Sequence, residues 1–217
     1  MVAKRKSKAA PRARQSAPPI PEIPMPEPTP PPPTAKPFYV GFNSEINQIT
    51  GPALIAAIGQ QVGQGFNELH LMLTTPGGHV AQGIAIYNML RALPISITTY
   101  NVGSVNSIGN VIFLAGSKRY AAKTSSFMFH GVGFDVQSAR FEEKALKERL
   151  QSIQNDQKLI ADIIVRHTKI TETEVDKLFL EAAFVDTGEA KRRGIIDDIL
   201  DVQVPTGTPF IQLVFQR

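Results

Sequence analysis

Leu69-His70-Leu71-Met72-Leu73-Thr74-Thr75-Pro76-Gly77-Gly78 reads as an apolar strand running into a glycine turn, and the segment after that turn decides the class. From about Val80 to Leu93 the pattern is helical, Pro94 stops the helix, and Ile95 to Tyr100 is strand-like again. Two strands joined by a helix form the long crossover that parallel neighbours require.

The same unit recurs on either side. Upstream, Phe38-Tyr39-Val40-Gly41-Phe42 reads as a strand, and Pro52 to about Val62 as a helix with Pro early and Gly63 after its end. Downstream, the chain turns through Gly103, and a helix of small residues is expected from Ser107 to Ala115, ended by Gly116. Strands around Arg119 to Ala122 and Ser126 to His130 come next. Repeated strand-helix crossovers predict an α/β fold with a mainly parallel sheet and helices on its faces.

The stretch from about Ser138 to His167 has no Gly or Pro, and Leu146, Leu150, Ile153, Ile160 and Ile164 keep a helical spacing. One helix of about 30 residues, roughly 45 Å long, exceeds what a small α/β body needs, so it is expected to project and pack against another subunit, the alternative being a helix that lies across its own sheet. Two shorter helices are expected, Thr171 to Leu180 with a capping-box pattern and Thr187 to Arg193 ended by Gly194. Ile195-Ile196 reads as a strand, and Phe210 to Phe215 as an added edge strand.

Twelve of the 17 prolines lie between Pro11 and Pro37, which leaves little capacity for helix or sheet hydrogen bonds there. Residues 1–36 are therefore expected to be an extended or disordered tail. A domain over 37–201 and a C-terminal extension over 202–217 complete the organisation. The tail holds Lys4, Arg5, Lys6, Lys8, Arg12, Arg14 and Lys36 against Glu22 and Glu27, a net of +5, whereas the remainder is at −1. The basic pI of 9.4 thus belongs to the tail, and the core carries no electrostatic sign of nucleic-acid binding. Cysteine is absent, which excludes disulfides, thiolate metal sites and a cysteine nucleophile. No apolar run suits a signal peptide or a membrane span, so a cytoplasmic protein with no membrane partner is expected.

Acyl transfer needs a nucleophile, a base and donors for the oxygen that becomes negative. Gly103-Ser104-Val105-Asn106-Ser107-Ile108-Gly109 places Ser107 where a loop enters a helix, which suits either a nucleophile or a helix N-cap. Thr75-Pro76-Gly77-Gly78 lets the backbone approach a ligand closely, either as half of an oxyanion hole or as an ordinary turn. His130 ends an apolar run before Gly131, at the carboxyl end of a strand, where ligand-facing residues of α/β sheets gather. His70 and His79 are read as structural, and His167 as a helix-terminal cation favoured by the dipole. No metal-ligand spacing and no phosphate-loop pattern occurs, so neither metal nor cofactor is expected.

In this order, Thr75 to Gly78, Gly83-Ile84-Ala85-Ile86-Tyr87, Gly103 to Gly109 and Met128-Phe129-His130 resemble the proteolytic subunit of Clp protease, over about Pro37 to Asp198. The later part of the match rests on His167-Thr168, Gly188-Glu189-Ala190 and Gly194 to Asp197. The resemblance implies the Clp peptidase and crotonase superfold, with the long helix interlocking stacked rings. It implies Ser107 as nucleophile, His130 as base, and the N–H groups of Gly78 and Ile108 as the oxyanion hole.

It also implies a homo-oligomeric ring acting on unfolded protein or peptides, and an ATP-dependent unfoldase as partner, although a proline-rich basic tail stands where the family has its pore segment. The family's orienting acid falls on Ala182, which cannot orient an imidazole. Glu181 ranks first as a substitute, ahead of Asp176 and Asp186. That gap keeps a weakened or inactive assembly subunit in view, and behind it a crotonase-like acyl-CoA enzyme.

Overall fold

The computed structural model describes residues 34–133, 140 and 142–215. Apart from 34–36, the expected tail lies outside them, as does the expected start of the long helix at Ser138. The described residues belong to one compact unit, Thr34–Arg217.

Strand β1 spans Pro37–Asn43, followed by α1 (Thr50–Gly63), β2 (Glu68–Thr75), α2 (Val80–Ala92) and β3 (Ser96–Asn106). After these come α3 (Gly109–Phe113), β4 (Lys118–Ala121), β5 (Ser126–Met128), α4 (Glu143–His167) and α5 (Glu172–Glu181). The remaining elements are β6 (Phe184–Asp186), α6 (Thr187–Arg192), β7 (Asp198–Ile199) and β8 (Phe210–Leu213). One sheet runs β6-β5-β3-β2-β1-β8, with β4 beside β3 and β7 beside β4. Among the described residues only the β5–β6 pair is antiparallel, so the expected α/β class with a mainly parallel sheet is what folds.

Strand β3 is the spine of the arrangement. Its first half pairs with β4 at Thr98 to Asn101, and its second half with β5 at Ser104 to Asn106, so the two short strands share one edge. The sequence reading ended this strand at Tyr100 because Asn101 and Gly103 are turn formers. Asn101 is instead buried with its amide satisfied, Nδ2 donating to the Ser126 carbonyl at 2.7 Å and Oδ1 accepting from the Gly103 N–H at 3.1 Å. Tertiary hydrogen bonding thus overrides local preference and carries β3 on to the residue before Ser107.

The apolar core takes Phe38, Val40 and Phe42 from β1, Leu69, Leu71 and Leu73 from β2, and the inward faces of α1 and α2. Gly83 lets α2 lie against Ile108, since a Cβ there would overlap the Ile108 side chain. On α4 the buried positions are Ile160, Ala161, Ile163 and Ile164, all in its second half, while Leu146 and Leu150 in the first half are about half exposed. At 25 residues the helix is about 37 Å long, shorter than the roughly 45 Å expected.

The short strands near the C-terminus differ in part from the expectation. The expected strand at Ile195-Ile196 is corrected to β7 at Asp198–Ile199, because Ile195 and Ile196 are used as buried core. Strand β6 was too short, at three residues, to show a period in sequence. The expected C-terminal edge strand forms as β8, parallel to β1. The capping box on α5 is present, with Thr171 accepting from the Glu174 N–H and Glu174 accepting from the Thr171 N–H. Among the described residues no helix is long and apolar enough to cross a membrane.

Candidate active site

Ser107 follows directly on β3 and adopts left-handed φ of 56°, a conformation that costs a serine free energy and persists only where surroundings over-determine it. Its N–H donates to the Met128 carbonyl at 2.8 Å, and its carbonyl accepts the Asn110 N–H at 3.1 Å. The N-cap position of α3 is Ile108, so the N-cap alternative for Ser107 does not hold. A sharp strand-to-helix turn with a strained serine at its apex is the geometry that exposes an Oγ.

The glycine turn after β2 stands beside it. The Ile46 N–H donates to the Gly77 carbonyl at 2.7 Å, and the His79 N–H to the Ile46 carbonyl at 2.8 Å. The Gly78 N–H between them has no partner among the described residues, and neither has the Ile108 N–H. Gly78 has φ of 142°, and a Cβ there would overlap the Ile46 carbonyl oxygen, so only glycine fits this backbone. Two adjacent free donors are what a developing oxyanion requires.

His130 lies two residues beyond β5, in a segment pinned on both sides: the Phe129 N–H donates to the Ala183 carbonyl at 2.9 Å, and the Gly131 N–H to the Phe179 carbonyl at 3.1 Å. Its Nδ1 is 2.7 Å from the Gly131 carbonyl oxygen. A carbonyl can only accept, so in the neutral ring Nδ1 carries the hydrogen and Nε2 holds a free lone pair, the tautomer a general base needs. Gly78, Ser107, Ile108 and His130 all line one cavity of about 90 Å³, walled by Phe129, Ile160 and other apolar side chains. Among the described residues Ser107 Oγ and His130 make no hydrogen bond to each other. Catalytic bonds are often long before substrate binds.

Among the described residues no carboxylate lines this cavity. Ala182, the position expected for the acid, is the left-handed C-cap of α5 at φ of 49°. Glu181, ranked first as a substitute, is exposed and faces Lys177 at 3.8 Å, because i,i+4 spacing on α5 turns it away. Asp186 caps α6, its Oδ1 accepting the Glu189 N–H at 2.8 Å, and Asp176 is exposed. Among the described residues no group of three or more His, Asp or Glu side chains could hold a metal ion.

His70 and His167 do not line this cavity. His70 stacks on Tyr39, with centroids 4.4 Å apart, and its Nδ1 is 3.0 Å from the Tyr100 hydroxyl, on the β1–β3 sheet face. Burial lowers the His70 pKa and pushes Tyr100 up to about 12. The reading of His167 as a helix-terminal cation is corrected. Burial, then the charges of Arg119, Arg91 and Arg166, lower its pKa, and its Nε2 meets the Tyr87 hydroxyl at 2.7 Å.

Two features were missed in sequence: the Gly131 carbonyl, a backbone group with no sequence signal, and Asn110. The signal for Asn110 was available, since it is the one amide in the apolar run Ile108-Gly109-Asn110-Val111-Ile112-Phe113.

A family model described as Clp protease matches residues 44–203. Among solved structures, the chain is similar to that of a point mutant of ClpP1 from Listeria monocytogenes, with a TM-score of 0.64 and 22% identity. The match covers 76% of this chain and 92% of that one. At that identity the likeness speaks for the fold.

Proposed function

The chain belongs to the Clp protease family of serine peptidases, and on that premise we propose that it hydrolyses peptide bonds of unfolded proteins or peptides through Ser107 and His130. The observation that carries the reading is the cavity on which the strained Ser107, His130 and the free N–H groups of Gly78 and Ile108 converge. His130 Nε2 accepts the hydroxyl proton as Ser107 Oγ attacks the scissile carbonyl carbon. The oxygen that becomes negative is received by the Gly78 and Ile108 N–H groups. Collapse of the tetrahedral intermediate breaks the C–N bond, and His130 returns the proton to the leaving amine. Water then repeats the sequence on the acyl-serine, releasing acid and free Ser107.

In a complete triad the third residue fixes the imidazole tautomer and stabilises the imidazolium. Here the Gly131 carbonyl can do the first but carries no full charge for the second. With that carbonyl as the orienting partner, among the described residues, activation is weaker than in a triad with a carboxylate. That same lack favours, as second reading, an assembly subunit without turnover. The half-exposed Leu146 and Leu150 on α4 support a ring in which this helix meets another copy, and an ATP-dependent unfoldase would supply unfolded chain to it.

A fluorophosphonate probe decides between the readings. Covalent labelling of Ser107 in the assembled protein is expected, abolished in Ser107→Ala and strongly reduced in His130→Ala. Assembled wild-type protein that takes no label leaves the non-catalytic reading standing.

A further inference from the structure

Asn110 is 1% exposed in a stretch that is otherwise apolar. Its Nδ2 donates to the Ser107 carbonyl at 3.0 Å and to the Met128 carbonyl at 2.8 Å. Carbonyls accept only, so the nitrogen is the end that faces them. Its Oδ1 is buried and accepts nothing among the described residues.

Neither carbonyl depends on the amide for satisfaction. The Ser107 carbonyl already accepts the Asn110 N–H, and the Met128 carbonyl already accepts the Ser107 N–H. A residue present to fill space would be apolar, since an apolar side chain of similar shape would leave no buried oxygen without a partner. What the amide adds is a second restraint on these two residues alone. Ser107 holds left-handed backbone that its neighbours must enforce, and Met128 ends the strand from which His130 follows two residues later.

We propose that Asn110 is a positioning residue of the hydrolytic centre, a clamp that holds the Ser107 turn in register with the strand end that delivers His130. The proposal rests on the Ser107–His130 reading of the site. The register of nucleophile and base depends on such a clamp, because small displacements of reacting groups are expensive.

The rate of fluorophosphonate labelling, followed to completion in the assembled wild type, Asn110→Ala and Asn110→Ser proteins, tests it. Melting temperatures measured alongside give the folded state. A clamp predicts that the rate constant falls about 10- to 100-fold in Asn110→Ala, by the scale expected for misplaced reacting groups, while the final fraction labelled stays at the wild-type value. Asn110→Ser, which keeps one small donor, carries the comparison if the alanine variant fails to fold. A wild-type rate in the folded variants overturns the proposal and leaves the peptidase reading intact. A final labelled fraction that falls with the folded fraction, at unchanged rate constant, makes Asn110 merely structural and also overturns it. Wild-type protein that takes no label removes the peptidase reading and the proposal together.

Discussion

His130 Nδ1 lies 2.7 Å from the carbonyl oxygen of Gly131, the residue next to it in the chain. The imidazole is thus held by its own backbone, and the segment bearing that carbonyl is held by the Gly131 N–H on the Phe179 carbonyl. A partial charge stands where a full negative charge would lower the free energy of the imidazolium. Among the described residues the end of α5 lies against this segment, where the Phe129 N–H donates to the Ala183 carbonyl and Ala182 precedes it in left-handed backbone.

Ala182→Asp is therefore expected to raise the rate of peptide hydrolysis or probe labelling. Asp tolerates left-handed backbone better than Ala, so the change fits the local conformation. The expected gain is about 10-fold, well below the roughly 10⁴ that separates a triad with a correct acid from one with the wrong tautomer, because the Gly131 carbonyl already fixes the tautomer. Ala182→Gly is the control. It relieves the left-handed backbone, by about 0.5–1 kcal/mol net of the greater freedom of glycine when unfolded, without adding charge. Equal rates in the two variants would assign any gain to the backbone.

The crossovers of this fold were legible because each strand and helix carries its own period and its own stop, as Leu69 to Pro94 illustrates. The site was legible in part. Ser107, His130, Gly78 and Ile108 were placed by ordered motifs, and they converge on one cavity. What orients His130 was not legible, since a main-chain carbonyl is common to every residue and only the three-dimensional path of 129–131 selects the one at Gly131. The continuation of β3 past Tyr100 was not legible for a similar reason, because the carbonyl that takes the Asn101 amide lies at Ser126, 25 residues away.

Gly78 and Gly59 make opposite predictions. Gly78→Ala places a Cβ on the Ile46 carbonyl oxygen at φ of 142°, so the turn must open and its N–H swing away. A stability loss of about 2–4 kcal/mol is expected, with labelling reduced at least about 100-fold through the lost oxyanion donor. Gly59 lies within α1 with nothing near its Cβ position, so Gly59→Ala should stabilise by roughly 0.5–1 kcal/mol and leave labelling unchanged. Chemical denaturation and labelling on the same samples check both. Wild-type labelling in Gly78→Ala would remove it from the oxyanion hole.

The family generally forms oligomeric rings, and on the proposed reading the first half of α4 would meet another copy. Leu146 and Leu150 are 49% and 55% exposed, four residues apart on one face. Leu146→Glu with Leu150→Glu should cost the isolated chain little, since neither side chain is in its core, yet shift the sedimentation profile to smaller species. Unchanged assembly in that double variant would place the subunit contact elsewhere.

Stability should fall on mild acidification, and His167 should carry part of the fall. Its folded pKa is lowered by burial first and then by Arg119, Arg91 and Arg166, and it bonds the Tyr87 hydroxyl through Nε2. Between that lowered value and about 6.5 the unfolded chain binds the proton and the folded chain does not, so stability rises with pH across the window. The contribution is whole above about pH 6.5 and is lost as pH falls towards the folded value. Burial lowers the His70 pKa in the same sense, with Glu68 opposing, so the two histidines add. The melting temperature of the wild type is expected to drop more between about pH 7.5 and about pH 5 than that of His167→Gln, whose amide can still meet Tyr87 but does not titrate. Parallel curves for the two proteins would mean that His167 ionises alike in the folded and unfolded states.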